Sequence, residues 1–296
     1  MYISQFDPWK SELCTCPPKY SLNPYTGCVH GCLYCYASSY IKDFFHLREK
    51  KNLIEKLKRE IKKIPENSLV SLCNTSDPYP PVEKNRKLTR KCLEIFKEHH
   101  MRVIIITKSD IVLRDIDLLK EMSSCVTFTI TTLKYDKILE PNAPSSVERL
   151  KAVERLSKEK IPVGIRLDPI IPLLNEEETE AILKEAKNCG AEHVTASTFK
   201  PRWDSWKRIS QAFPAMAEKI KNLYFKEGTK ISNSWYLPES LRKDLMIKVR
   251  QICDSLFLTF SSCREGFPEL NSSPSCDGSH LASERSFSEA QASTLF

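Results

Sequence analysis

Short aliphatic runs and longer helical patterns take turns along most of this chain. Residues 68–73, 102–107, 125–131, 162–167 and 192–197 are rich in β-branched and aliphatic side chains and too short for helices, so each reads as a buried strand. Between them, apolar residues recur at helical spacing over 83–100, 112–122, 145–158 and 177–189. Ahead of the series, 19–23 reads as an opening strand and 39–64 as one long helix, with Leu47, Ile54, Leu57, Ile61 and Ile64 on a shared face. Strands separated by helices of this length predict parallel βαβ units. Six of them fit an α/β fold built as an incomplete, TIM-like (β/α)6 barrel, whose chemistry is expected in the loops at the carboxyl ends of the strands.

The pattern changes beyond residue 198. Phe199-Lys200-Pro201-Arg202-Trp203-Asp204-Ser205-Trp206-Lys207-Arg208 mixes cations with two indoles. Such a segment stacks bases and neutralises phosphates, or it opens an amphipathic helix whose tryptophans pack inward. Helices are predicted over 203–224 and 238–256, and a closing strand over 257–260. The expected organisation is an irregular segment at 1–19, the partial barrel at 20–200, a mainly helical C-terminal extension packed on it at 201–280, and a disordered serine-rich tail at 281–296.

Composition narrows the class. A hydrophobic fraction of 41% over 296 residues supports a sizeable core, and a net charge of +7 permits an anionic partner without requiring one. The first residues carry neither a basic leader nor an apolar run, and no apolar stretch reaches the length of a membrane span. The expectation is a cytoplasmic protein with no membrane partner. Twelve cysteines in that compartment are expected as reduced thiols and metal ligands rather than disulfides.

Three of those cysteines define the candidate chemistry. They fall in Gly27-Cys28-Val29-His30-Gly31-Cys32-Leu33-Tyr34-Cys35-Tyr36, where one tight loop presents several sulfurs to a compact object. An iron–sulfur cube is such an object. A structural zinc site competes, but it takes four ligands and usually two separated pairs, and His30 lies inside the same loop. Cys14, Cys16, Cys263 and Cys276 are left over in two terminal groups, a candidate second metal site if the ends meet.

The spacing Cys28-x-x-x-Cys32-x-x-Cys35, with Tyr34 just before the third cysteine, resembles the signature of the radical S-adenosylmethionine superfamily. The wider string from Asn23 to Ala37 is similar to the branch containing spore photoproduct lyase, whose members are often labelled DNA repair photolyases. Thr75-Ser76-Asp77, Ile106-Thr107-Lys108-Ser109, Leu139-Glu140-Pro141 followed by Arg149, and Pro169-Ile170-Ile171-Pro172 extend the resemblance over residues 20 to 175. Carried over residue by residue, it implies a [4Fe-4S] cluster on Cys28, Cys32 and Cys35, with S-adenosyl-L-methionine on the iron that lacks a protein ligand. It implies Tyr34 and Tyr36 beside the adenine, and Ser76, Asp77, Lys108 and Thr129 at the ribose or methionine portions.

Cys73 ends the second strand near where spore photoproduct lyase has a cysteine that returns a hydrogen atom to the product radical, although one extra residue intervenes. A lone cysteine on an apolar strand is also an ordinary packing residue. The activity implied is reductive cleavage of S-adenosyl-L-methionine and hydrogen-atom abstraction from a substrate, in this branch the lyase chemistry of DNA repair. RNA, a peptide or a small molecule stays open as substrate, and an electron donor such as flavodoxin or ferredoxin is implied. One departure stands out: Asn74-Thr75-Ser76-Asp77 replaces the superfamily's Gly-Gly-Glu motif. The reading from another class is a zinc-stabilised nucleic-acid-binding protein without catalysis, using the segment after Phe199.

Overall fold

The computed structural model describes residues 1–6 and 13–282. From residue 283 onward the expected tail therefore lies outside the described residues. Eight strands form one sheet: β1 (Ser4–Gln5), β2 (Tyr20–Leu22), β3 (Leu69–Leu72), β4 (Arg102–Thr107), β5 (Ser124–Thr129), β6 (Val163–Ile170), β7 (His193–Thr198) and β8 (Thr259–Ser262). They lie side by side in chain order, all neighbours parallel except β1, which runs antiparallel to β2. The six expected strands are thus present, and the closing strand joins them as a seventh parallel member, shifted two residues along the chain from 257–260. The two-residue β1 is not foreseen by the pattern, being too short to carry one.

Side chains on these strands alternate in character. Val70, Leu72, Val103, Ile105, Val126, Phe128, Ile165 and Leu167 join one hydrophobic core with Leu93, Phe96, Val153, Leu156, Ile182 and Leu183 of the surrounding helices. The intervening positions include Ser71, Thr127, Thr129, Thr195 and Ser261, all buried. A sheet covered by helices on one face therefore turns a hydroxyl-rich face toward its interior, as the period of two requires.

Three expected helices are broken. The stretch 39–64 keeps only α1 (Leu53–Glu60) and a 3-10 turn at Ile61–Lys63. Asp43 and Asn52 adopt left-handed φ values of 51° and 54°, and Arg48 donates to the carbonyls of Lys42, Asp43 and His46. Residues 40–52 are thereby used to wrap the cysteine loop. The stretch 83–100 splits at Lys87, also left-handed, leaving Glu83–Arg86 and α2 (Leu88–Glu98). The remaining α-helices of five residues or more are α3 (Ile116–Lys120), α4 (Ser146–Lys158), α5 (Thr179–Asn188), α6 (Trp203–Ala212), α7 (Pro214–Phe225) and α8 (Glu239–Ser255). Pro214 starts α7 and ends the single helix expected over 203–224, because its ring and missing N–H cannot continue a helix begun before it.

The bottom of the partial barrel is closed by residues 271–282. Thr195 donates to the Cys276 carbonyl at 3.0 Å, and the Cys125 thiol to that of Gly278 at 3.5 Å. Arg102 donates to the Ala282 carbonyl at 2.8 Å, while buried Lys19 and Asp277 form an ion pair. Among the described residues no helix is long and apolar enough to cross a membrane.

Candidate active site

The loop after β2 owes its shape to glycine. Gly27 has φ +82°, and a Cβ there would lie 2.5 and 2.6 Å from the carbonyl oxygens of His46 and Phe44. Only hydrogen fits. The loop is then pinned from several elements: Cys28 N–H donates to Phe44 O at 2.8 Å, Leu33 N–H to Leu139 O at 2.9 Å, and Asn142 Nδ2 to Val29 O at 2.9 Å. Arg208 on α6 donates to the carbonyls of Leu33 and Cys35 at 3.0 and 2.9 Å.

Cys28, Cys32 and Cys35 line a cavity of ≈ 470 Å³ at the carboxyl ends of the parallel strands. Burial raises all three thiols, Cys28 to about 12. No group of three or more His, Cys, Asp or Glu side chains among the described residues is arranged to hold one metal ion. Thiolates are the ligands that hold the separate irons of an iron–sulfur cube.

The same cavity is lined by Tyr34, Tyr36, Cys73, Ser76, Asp77, Lys108 and Thr129, so the chain brings every expected site residue to one place. Their hydrogen bonds differentiate them. Tyr34 donates its hydroxyl to Glu140 and lies 3.2 Å from Thr131 Oγ1, and its ring faces Lys108 Nζ at 5.6 Å from the centroid. Tyr36 donates to the Asn74 carbonyl at 2.6 Å. Ser76 donates to the Tyr25 carbonyl at 3.1 Å. Asp77 accepts from Tyr79 N–H, Thr107 Oγ1 and Lys108 N–H at 2.8 to 2.9 Å, organising the loops after β3 and β4. Cys73 is buried with φ +66°, in the left-handed region that side chains seldom occupy.

Charge in the cavity wall is balanced inside the protein. Glu140 and Arg149 form a fully buried ion pair. Burial alone raises the Glu140 carboxyl, but Arg149 and Lys108 hold it below the usual carboxylate range. Burial pulls Lys108 down, yet Cys32 and Glu140 outweigh it and leave the ammonium more basic than usual. Lys108 is thus a cation at the cavity at neutral pH.

Arg166, which donates to Asp168 at 2.7 Å, also belongs to the cavity, as do Asn74 of the loop after β3 and Lys200 and Arg202 of the cationic 199–208 segment. Arg208 acts only because α6 lies across the loop, a contact between residues 173 apart in the chain. In 199–208 the inward-packing reading holds for Trp206, buried against Tyr224 and Phe225, whereas Trp203 is 75% exposed.

The profile of the Radical SAM superfamily matches residues 22–186. An uncharacterised protein of Methanocaldococcus jannaschii is 35% identical over 178 residues, spanning 57% of this chain and 66% of its own length, just short of two thirds. An uncharacterised protein of Acidianus two-tailed virus is 30% identical over 225 residues, spanning 68% of this chain and 73% of its own. Among solved structures, a spore photoproduct lyase variant with bound AdoMet and dinucleoside spore photoproduct superposes with a TM-score of 0.66 at 19% identity, covering 86% of this chain and 79% of that one.

Proposed function

The chain belongs to the radical SAM superfamily, and on that footing we propose that Cys28, Cys32 and Cys35 hold a [4Fe-4S] cluster that activates S-adenosyl-L-methionine for hydrogen-atom abstraction from a nucleic-acid substrate. One observation carries the reading: three thiols of a single loop share a cavity at the mouth of a parallel sheet with Lys108, Arg166 and Cys73. When bound, the cluster and S-adenosyl-L-methionine supply a one-electron cleavage whose adenosyl radical removes hydrogen from a substrate.

The chain's own residues orient and confine. Arg208, Asn142 and Gly27 fix the loop so that its sulfurs need little rearrangement. Tyr34, held by Glu140, and Tyr36, held by Asn74, give rigid aromatic walls suited to an adenine. Lys108 and Arg166 offer cations to a carboxylate, and the Thr129 side chain offers a hydroxyl to the ribose. Asp77 serves these contacts indirectly by holding Lys108 in place.

Cys73 is assigned the return of a hydrogen atom to the substrate radical. Burial raises its thiol well above the ordinary value, which keeps the S–H bond that such a donor needs.

The nucleic-acid class is supported by the rim. Tyr40 and Phe45 are each 44% exposed, with the Arg202 and Arg208 guanidiniums over their rings at 5.3 Å, and Trp203 extends the aromatic surface. Aromatic faces interleaved with cations accept unstacked bases and their phosphates. A DNA lesion like that bound by the structural relative is the first candidate.

Anaerobically purified protein is expected to be brown and, with a strong reductant, to convert S-adenosyl-L-methionine to 5′-deoxyadenosine. The Cys28→Ala, Cys32→Ala, Cys35→Ala variant should do neither. A colourless protein with no iron and no cleavage defeats the proposal. For the substrate, irradiated oligonucleotides in deuterated and undeuterated form are compared; absence of label transfer into 5′-deoxyadenosine from any of them removes the nucleic-acid assignment while leaving the cofactor chemistry in place.

A further inference from the structure

Four thiols that this chemistry does not use meet where the barrel fails to close. The sheet ends at β1 on one side and β8 on the other. Residues 13–19 cross the gap, bringing Leu13 Cδ2 to 3.2 Å from where a Cβ on Gly266 would stand. Cys16 Sγ lies 3.4 Å from Cys276 Sγ, and the Cys14 and Cys16 thiols are hydrogen-bonded to each other. Cys263, just past β8, lines the same cavity as Cys14 and Cys16. Cys14 and Cys16 come from one end of the described chain and Cys263 and Cys276 from the other, so only the fold assembles them.

We propose that Cys14, Cys16, Cys263 and Cys276 form a tetrathiolate site for one thiophilic metal ion, zinc or ferrous iron, which staples the open seam of the barrel. Magnitude selects a single ion. Tetrahedral ligation with metal–sulfur bonds of about 2.3 Å places sulfurs about 3.8 Å apart, near the 3.4 Å between Cys16 and Cys276. The surroundings are suited to thiolates. Arg166 Nη2 reaches Cys263 Sγ at 3.5 Å, and Lys19, paired with Asp277, supplies a second cation close to Cys16. Such outer partners offset the charge of a four-thiolate set.

Among the described residues no three side chains are already drawn to single-ion distance. Ligation requires the Cys263 thiol to leave Arg166 and turn toward the other three, and it releases the thiol protons. Four protein ligands leave no open position, so the role is structural. The inference uses none of Cys28, Cys32 and Cys35.

Elemental analysis of the full-length protein, purified anaerobically and then incubated with Zn²⁺ or Fe²⁺ and desalted, is expected to find one metal equivalent beyond the iron and sulfide of a cluster. X-ray absorption at that metal's edge should read four sulfurs at about 2.3 Å. Cys16→Ser with Cys276→Ser should lose this metal and keep the cluster iron; the triple alanine variant at Cys28, Cys32 and Cys35 should do the reverse. No extra equivalent, a shell containing nitrogen or oxygen, or a metal retained by the double serine variant overturns the proposal. Should that variant fail to accumulate folded, the triple alanine variant decides: seam metal with four sulfurs supports the site, and its absence sinks it. Because the two metals are read in separate variants, failure of the cluster reading leaves this result standing.

Discussion

Cys73 sits with φ +66° at the end of a buried strand, a conformation that costs a non-glycine residue about 1–2 kcal/mol. If its thiol is a hydrogen donor, Cys73→Ala still cleaves S-adenosyl-L-methionine but diverts the substrate radical to adducts or cross-links, read by mass analysis; an unchanged product distribution rejects the role. His193 gives a second single-residue test. It is fully buried, hydrogen-bonded to Thr259 and Thr195 hydroxyls at 3.0 and 3.2 Å, and burial, helped by His280 and opposed by Asp277, lowers it to about 3. Its folded form resists a proton that the unfolded chain takes up near pH 6.5. Stability is therefore complete above that pH and declines as pH falls toward 3, with a slope of up to about 1.4 kcal/mol per unit from this group. Denaturant titrations of His193→Gln between pH 7 and 4 should show a flatter slope than the parent; an identical slope refutes the assignment. The cysteine triplet was readable because its spacing is local. Glu140 and Arg149 could be quoted as a family stretch, but their buried pairing belongs to the fold. Arg208 stood out only as one cation of the 199–208 segment, and nothing local showed that it would hold the cysteine loop.

At the level of elements, strands and helices were legible wherever a single burial requirement set the period, as in β4 and α4. Residue 145 illustrates why: Ser145 caps α4 through a reciprocal box with Glu148, and Ser145→Ala should lower stability by about 1 kcal/mol in chemical denaturation. The helix expected over 39–64 failed because helical spacing of a few aliphatics cannot reveal left-handed residues at Asp43 and Asn52, nor that the Phe44 and His46 carbonyls are wanted at Gly27. That crowding makes Gly27→Ala a loop-specific lesion. It should abolish cluster incorporation, measured as iron and sulfide content, while far-ultraviolet circular dichroism stays at the parent level. Full iron loading of Gly27→Ala would show that the loop tolerates a shift.

For the whole molecule, the sheet supplies walls and residues 271–282 supply the base. The count of parallel units predicted an incomplete barrel, but a base made of irregular chain has no period to betray it. Lys19 and Asp277 are 5% and 3% exposed and tie it to the chain entering β2. Asp277→Asn leaves a lysine buried without its counter-charge and should cost about 3–5 kcal/mol. Hydrogen exchange should accelerate first in 13–20 and 271–282 rather than in β3 to β6; uniform acceleration would deny the base its separate character. Synthesis order gives this architecture a further meaning. A ribosome delivers every stave before the strip that plugs them, so in a nascent chain the lower end of the sheet stays uncovered until residues 271–282 emerge.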